Sequence, residues 1–261
     1  MDNDYTIAAV DRALKILKLF DANHSKMTLI EVSSLSGLNK SSVLRILYTL
    51  RQNDFIKYDE RTKEYSLGLS VFKLGNCAYY SMDISKISKP YLHAIANKTD
   101  MVIHLGVMEQ ESVVIIAKVY PDKEIVWPRF RSNVGGIMPA YCTGIGRLFL
   151  AHLSPEKLEY YFEHVELKRF TPTTVTAREE LDALIAAARE NNVDFCDCEH
   201  EAYIYSISAP IYDISGKMIA GVSIGGFREM FTDEVIRDSV ELVKSVGCKI
   251  SRDFGYEGEY R

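Results

Sequence analysis

No stretch of this 261-residue chain comes near the roughly 20 consecutive apolar residues that a membrane-spanning helix needs. The N-terminus, MDNDYTIAAVDRALK, opens on acidic residues and has neither a basic n-region nor a cleavage site, so no secretory signal is expected. Cysteine is sparse: five residues, an odd number, none in a C-x-x-C pair, although Cys196 and Cys198 form C-x-C. That usage points to reduced thiols in a cytoplasmic protein rather than to a disulfide framework. An excess of positive charge is missing too. The net charge is −5, which at first sight weighs against a nucleic-acid partner.

The charge is unevenly spread. Residues 1–80 hold 11 Lys and Arg against 9 Asp and Glu, a net of +2, and residues 81–261 hold 20 against 27, a net of −7. Within residues 40–63 six basic residues (Lys40, Arg45, Arg51, Lys57, Arg61, Lys63) outnumber three acidic ones. A local basic surface is enough to attract phosphates, because the attraction fades over a Debye length of about 8 Å at physiological salt. The apolar share of 47% can build sizeable cores, and the length is comfortable for two domains.

The stretch TLIEVSSLSGLNKSSVLRILYTLRQ, residues 28–52, reads as helix, tight turn, helix. Thr28 with Glu31 three residues on makes a capping-box pattern, Gly37 sits where the chain must reverse, and Asn39 is placed to cap the next helix. In that helix Val43, Ile46, Leu47 and Leu50 follow the i, i+3, i+4, i+7 spacing of a buried stripe. At 100° per residue, Ser41, Arg45, Tyr48 and Gln52 gather within roughly 60° on the opposite side, with Lys40 and Ser42 beside them. Such a face suits a DNA major groove, where Arg forks onto guanine and hydroxyls hold phosphates. A preceding helix is expected over residues 7–22, with Val10, Ala13, Leu14, Leu17 and Phe20 on one face. Residues 55–58 and 65–68 form a strand pair around a polar turn carrying Arg61 and Lys63, a wing able to reach the backbone or minor groove. The bland alternative is a small helical domain with a solvated face. The DNA-contacting candidates are Thr28, Asn39, Lys40, Ser41, Ser42, Arg45, Tyr48, Arg61 and Lys63.

Residues 69–80 read as a linker helix with Val71, Phe72, Leu74 and Ala78 apolar. Beyond it, a helix over 84–97 is expected to break early at Pro90. Strands are expected at 101–108, 113–119, 193–198, 204–212 and 217–225, with a further extended stretch at 124–130. Helices are expected at 143–152, from Pro155, at 177–191 and at 232–251. Helices on a mainly antiparallel sheet make this an α+β domain.

The leading ligand candidate is Tyr141-Cys142-Thr143-Gly144-Ile145-Gly146-Arg147. Two glycines near a helix start expose backbone amides, which favour carboxylates or phosphates. The Gly-Lys-Ser/Thr ending of a Walker loop is absent. Close packing of the helix on the sheet is the competing explanation for Gly146. Facing strands offer Ser206, Ser208, Ser223 and Cys196, and inward hydroxyls on a buried sheet face need a partner. A metal reading would use Cys142, Cys196 and Cys198 with His104 and His200, at spacings that fit no standard zinc pattern. A thiol enzyme would pair Cys142 with His104 or His152, but nothing orders nucleophile, base and orienter recognisably. No catalytic residue and no cofactor is expected. His104, between Ile103 and Leu105, reads as a sheet histidine bonded locally. An RNA-binding module lacks its usual exposed aromatic stacking motifs.

The segments VDRALKILKLF, TLIEVSSLSGLNKSSVLRILYTLRQNDFIKYDERTKEYSLGLSVFKLG and VGGIMPAYCTGIGRLFLA resemble the isocitrate-lyase-regulator (IclR) family of bacterial transcriptional regulators, in order and over nearly the whole chain. The resemblance implies a winged helix-turn-helix domain (residues 1–68), a linker helix (69–82) and a GAF-like effector-binding domain (83–261). It also implies a homodimer or dimer of dimers on a near-palindromic operator, and a small organic acid as effector, aromatic or sugar-derived. Repression is the expected mode. By the family's pattern the effector site falls on Gly144, Ile145, Cys196 or the adjacent Asp197, Ser206, Ser223 and Gly225. The chain departs from that pattern in having Cys196 at the acidic position, Ser206 for a frequent cysteine, Gly225 for a serine and Ile145 for an alanine.

Overall fold

The computed structural model describes residues 5–21, 24–81, 83–123 and 132–260. The chain divides into two compact units, Met1–Ser81 and Met82–Arg261.

The first unit runs α1 (Ala8–Leu17), β1 (Met27–Thr28), α2 (Leu29–Ser36), α3 (Lys40–Gln52), β2 (Ile56–Asp59), β3 (Glu64–Leu67) and α4 (Leu69–Ser81). Helix α1 is shorter than its apolar spacing suggests, although Phe20 beyond its end is still buried. Helix α2 starts on a complete capping box: Glu31 Oε2 accepts from the Thr28 amide at 2.7 Å, and the Glu31 amide donates to Thr28 Oγ1 at 3.4 Å. It ends at Gly37 with φ +67°, a conformation that costs glycine little. Asn39 Oδ1 caps α3 by accepting from the Ser42 amide at 2.9 Å. Ile16, Val32, Val43, Leu47 and Ile56 are sealed in one core, each contributing about 1.5–3 kcal/mol by leaving water. The sheet has the order β1-β3-β2, and the two-residue β1 pairing with β3 was not apparent in the sequence.

The second unit runs α5 (Asp83–Thr99), β4 (Val102–Glu109), β5 (Ser112–Val119), β6 (Ile137–Pro139), α6 (Gly144–Ala151), α7 (Pro155–His164), α8 (Arg178–Asn191), β7 (Asp194–Asp197), β8 (Ile204–Tyr212), β9 (Met218–Phe227) and α9 (Asp233–Asp253). Helix α5 does not break at Pro90 but runs through it. A proline here forfeits one helical hydrogen bond, a cost of about 3 kcal/mol. Burial of Leu92, Ile95 and Ala96 on the following turns offsets it. The extended stretch expected at 124–130 lies outside the described residues.

The six strands form an antiparallel sheet in the order β6-β5-β4-β9-β8-β7. Side chains alternate between its faces with period two. Ile103 and Leu105, Ile207 and Ala209, and Val222 and Ile224 join the core that also holds Leu92 and Ile95 of α5 and Val243 and Ile250 of α9. The residues between them, His104, Gly106, Ser206, Ser208, Ser223 and Gly225, face the other way, where α6 crosses the sheet. Small and polar residues therefore sit where the sheet meets α6.

Candidate DNA-contacting surface and ligand pocket

On α3 the buried side is Val43 and Leu47, while Ser41, Arg45, Tyr48 and Gln52 are exposed, Tyr48 by 62%. Among the described residues none of Lys40, Arg45, Arg61 and Lys63 enters an ion pair. Thr28 is largely committed to its cap, its hydroxyl donating to Glu31 Oε2 at 2.8 Å. The hydrogen bonds from Thr28 hold the Glu31 carboxyl below its ordinary range. Ser41 Oγ donates to Asn39 Oδ1 at 2.8 Å, so these two polar groups are pre-positioned together at the start of α3. At the wing tip Asp59 Oδ1 accepts from the amides of Arg61 (2.8 Å) and Thr62 (3.2 Å), which lowers its own pKa and fixes the turn that presents Arg61. Arg51 instead lies over the Tyr58 ring at 5.6 Å, a packed surface cation.

In the second unit a cavity opens between the sheet and α6. Gly144, Ile145, Cys196, Ser206, Ser223 and Gly225 all line it. Asp197 does not. The alternation along β7 buries Cys196 and exposes Asp197, which pairs with Arg228 Nε at 3.1 Å. Of the two readings for the acidic position, only Cys196 reaches the cavity.

The floor is a cross-strand row. Ser208 on β8 is registered with Asp194 on β7 and Ser223 on β9, and Ser223 is registered with His104 on β4. A parallel rung joins Cys196, Ser206 and Gly225. Above it, α6 begins at Thr143, whose hydroxyl donates to Pro139 O at 2.8 Å and caps none of the first-turn amides. Those amides have no acceptor within the helix. Gly144 is pressed so close to the row that a Cβ on it would stand 2.5 Å from Ser208 Oγ. Ser208 is fully buried, lines the cavity, and its hydroxyl has no hydrogen-bond partner among the described residues. Gly146 is a packing glycine, since a Cβ there would lie 2.3 Å from the Ala140 backbone.

Of the polar lining residues, Ser132 and Glu201 are absent from the sequence reading, and His104 and His200 enter it as metal-ligand candidates rather than as parts of an effector cavity. His104 Nε2 lies 3.0 Å from Ser132 Oγ, and burial, with the charge of its cross-strand neighbour Lys118, pushes its pKa down to about 3, so the ring is neutral. Residues 194–201 are fixed by Arg147 of α6, a fully buried guanidinium bonded to Asp194 Oδ2 (2.8 Å), Glu199 Oε1 (2.7 Å), Tyr141 O (3.2 Å) and Phe195 O. Burial pushes Asp194 up to about 6 against the pull of Arg147.

The metal reading finds no support. No group of three or more His, Cys, Asp or Glu among the described residues is arranged to hold an ion. Burial raises the thiols of Cys142, Cys198 and Cys196, the last to about 12. Cys196 Sγ donates to Cys142 O at 3.3 Å. His152, one partner for a thiol enzyme, is instead engaged with Leu148 O and the Tyr212 hydroxyl. No helix among the described residues is long and apolar enough to cross a membrane.

Comparison with known proteins bears on both units. Residues 9–60 match the IclR helix-turn-helix domain, and residues 77–252 match the bacterial transcriptional regulator IclR C-terminal domain. The HTH-type transcriptional regulator KipR of Bacillus subtilis is 30% identical over 95% of this chain and 97% of its own. The crystal structure of an IclR transcriptional regulator from Alicyclobacillus acidocaldarius superposes with a TM-score of 0.85 at 28% identity, covering 95% of this chain and 99% of that one. The fold is shared with an IclR homolog from Microbacterium hydrocarbonoxydans complexed with 4-hydroxybenzoate (TM-score 0.80, 21% identity, 95% and 99% covered). With a polar recognition face in one unit, a polar-floored cavity in the other and a match to both family domains, this chain belongs to the IclR family of bacterial DNA-binding transcriptional regulators.

Proposed function

We propose that the protein is a repressor whose hold on its operator is set by a small organic acid bound in the cavity under α6. The observation that carries the sensing half is the Ser208 hydroxyl: buried, lining the cavity, and unpartnered among the described residues. A buried hydroxyl left so costs about 1–3 kcal/mol, and a bound acceptor recovers it. A carboxylate fits, because the α6 first-turn amides at Gly144 and Ile145 add donors and a favourable helix dipole at the same place. Ser206 and Ser223 supply further hydroxyls, Cys196 and Gly225 complete the floor, and the fold neighbour's 4-hydroxybenzoate is an acid of suitable size.

On the DNA side, Arg45, Tyr48 and Ser41 read base edges, Lys40, Ser42 and Asn39 hold phosphates at the start of α3, and Arg61 and Lys63 reach from the wing. Thr28 contributes through its cap. Residues 1–68 act as the DNA-binding domain, 69–82 as a linker and 83–261 as the effector domain, in a cytoplasmic protein. A homodimer, alone or paired again, presents two α3 helices about one DNA turn apart to a near-palindromic site. The exposed apolar side chains Val10 and Leu14 of α1 and Phe72 and Leu74 of α4 support such pairing. Ligand acts by differential affinity for two arrangements of the wings.

The test selects bound fragments from genomic DNA, then titrates organic acids into the complex. Acid-induced release should be lost in Gly144→Val and weakened in Ser223→Ala. Unchanged release in both variants would remove the pocket from the account, and no preference for any fragment over random duplex would remove the operator reading.

A further inference from the structure

Resting on the assignment of Arg61 and Lys63 to DNA, we infer that Asp59 is the positioning residue of the wing, an acidic side chain that tightens the grip on a polyanion because it holds the turn presenting two cations. Charge alone demands the opposite. An exposed carboxylate beside phosphate-seeking side chains repels the duplex, and its removal ordinarily strengthens binding.

The wing is fixed at its base. Tyr58 is registered with Tyr65 across β2 and β3, with ring centroids 4.7 Å apart, and Arg51 from the last turn of α3 lies over the Tyr58 ring at 5.6 Å. Met27 of β1 pairs with the same Tyr65, which is buried. Strand pairing ends at the rung of Asp59 and Glu64, and Arg61 and Lys63 beyond it are exposed. What spans the tip is Asp59 itself. Its carbonyl accepts from the Lys63 amide at 2.8 Å. Its Oδ1 accepts from the Arg61 amide at 2.8 Å and the Thr62 amide at 3.2 Å. The turn closes with Lys63 at φ +61°, a left-handed conformation that a residue with a Cβ avoids unless its surroundings impose it. The carboxylate therefore fixes the backbone at Arg61 and, through Thr62, the strained entry into Lys63. Without it the tip samples several turns, and binding must also order both cations.

The test uses the full-length protein and two variants. Asp59→Ala removes the charge and the acceptor together. Asp59→Asn removes the charge and keeps an acceptor, since an amide oxygen makes the same turn. In anisotropy titrations on a random-sequence duplex, Asp59→Ala should bind about tenfold more weakly than Asp59→Asn, the worth of the two backbone hydrogen bonds at an exposed turn. Its salt slope should be shallower, and Asp59→Asn should bind at least as tightly as the wild type. Amide exchange at Arg61 and Thr62 should be fast in Asp59→Ala and slow in the other two proteins. Equal affinity of the two variants, or equal exchange in all three proteins, overturns the inference while Arg61→Ala still weakens binding. An Asp59→Ala urea midpoint far below that of Asp59→Asn would make Asp59 a structural residue and overturn it as well. If Arg61→Ala binds as the wild type does, the wing's place on DNA falls and the inference falls with it.

Discussion

Arg147 Nε donates to Asp194 Oδ2 at 2.8 Å with both side chains buried, so the helix that opens the ligand cavity is tied to the strand that edges its floor by a charge pair out of reach of water. The guanidinium also meets Glu199, whose other oxygen lies 3.5 Å from the Val175 amide. One cation thus organises α6, β7 and the loop bearing His200 and Glu201.

Arg147→Met leaves two buried carboxylates without their cation. Removing one partner of such a group costs about 3–5 kcal/mol. Chemical denaturation of the variant should show that loss in the transition of the effector unit. A loss below about 1 kcal/mol would mean that Asp194 and Glu199 find other partners or water.

Ser208→Ala should separate stability from sensing. Removing an unpaired buried hydroxyl leaves the acid-free protein as stable as before or up to about 1 kcal/mol more so, while acid binding weakens about tenfold. Thermal melts with and without acid measure both. A destabilised variant with normal acid affinity would show that Ser208 is a structural residue.

Acid pH should weaken the effector unit through His104. Its folded pKa, about 3, is depressed from the ordinary imidazole value of 6.5, so the neutral ring's contribution is complete above pH 6.5 and is lost as pH falls from there toward 3. Each unit in that window removes about 1.4 kcal/mol. Asp194, with a raised pKa, works in the opposite sense between 3.8 and about 6, so the informative quantity is the difference between the wild type and His104→Gln. Urea midpoints at pH 7 and 5.5 should converge more closely in the variant, and parallel losses in the two proteins would refute the assignment.

Arg45→Ala should cost about 1–3 kcal/mol of operator affinity and relax sequence preference, whereas Arg61→Ala should weaken binding evenly across sequences and reduce the salt slope by about one. Anisotropy titrations on operator and random duplexes at several salt concentrations test both. Intact specific binding in the Arg45 variant would contradict its placement in the groove.

The reading unit was legible because its rules are local. The Thr28–Glu31 box, the Gly37 reversal, the Asn39 cap and the two faces of α3 are each written within a few residues, and the structure holds all of them. Helix α5 was harder, since its passage through Pro90 is decided by the core it packs on. In the effector unit the hydroxyls of β8 and β9 showed as an alternation, but their partners did not. His104 looked like a locally bonded sheet residue until the register set it beside Ser223, and Asp197 could not be told from Cys196 until the pleat turned it outward to Arg228.

The sequence by itself determined the helix-turn-helix, its caps, its exposed polar strip and the two-faced strands of the sheet, because capping and periodicity act over three or four neighbours. Only the tertiary structure decided which polar groups share a cavity, which lies buried without a partner among the described residues, and where Arg147 spends its charge. Those depend on the register between strands far apart in the chain and on burial that makes each unpaired group costly, and neither is encoded in any short window of residues.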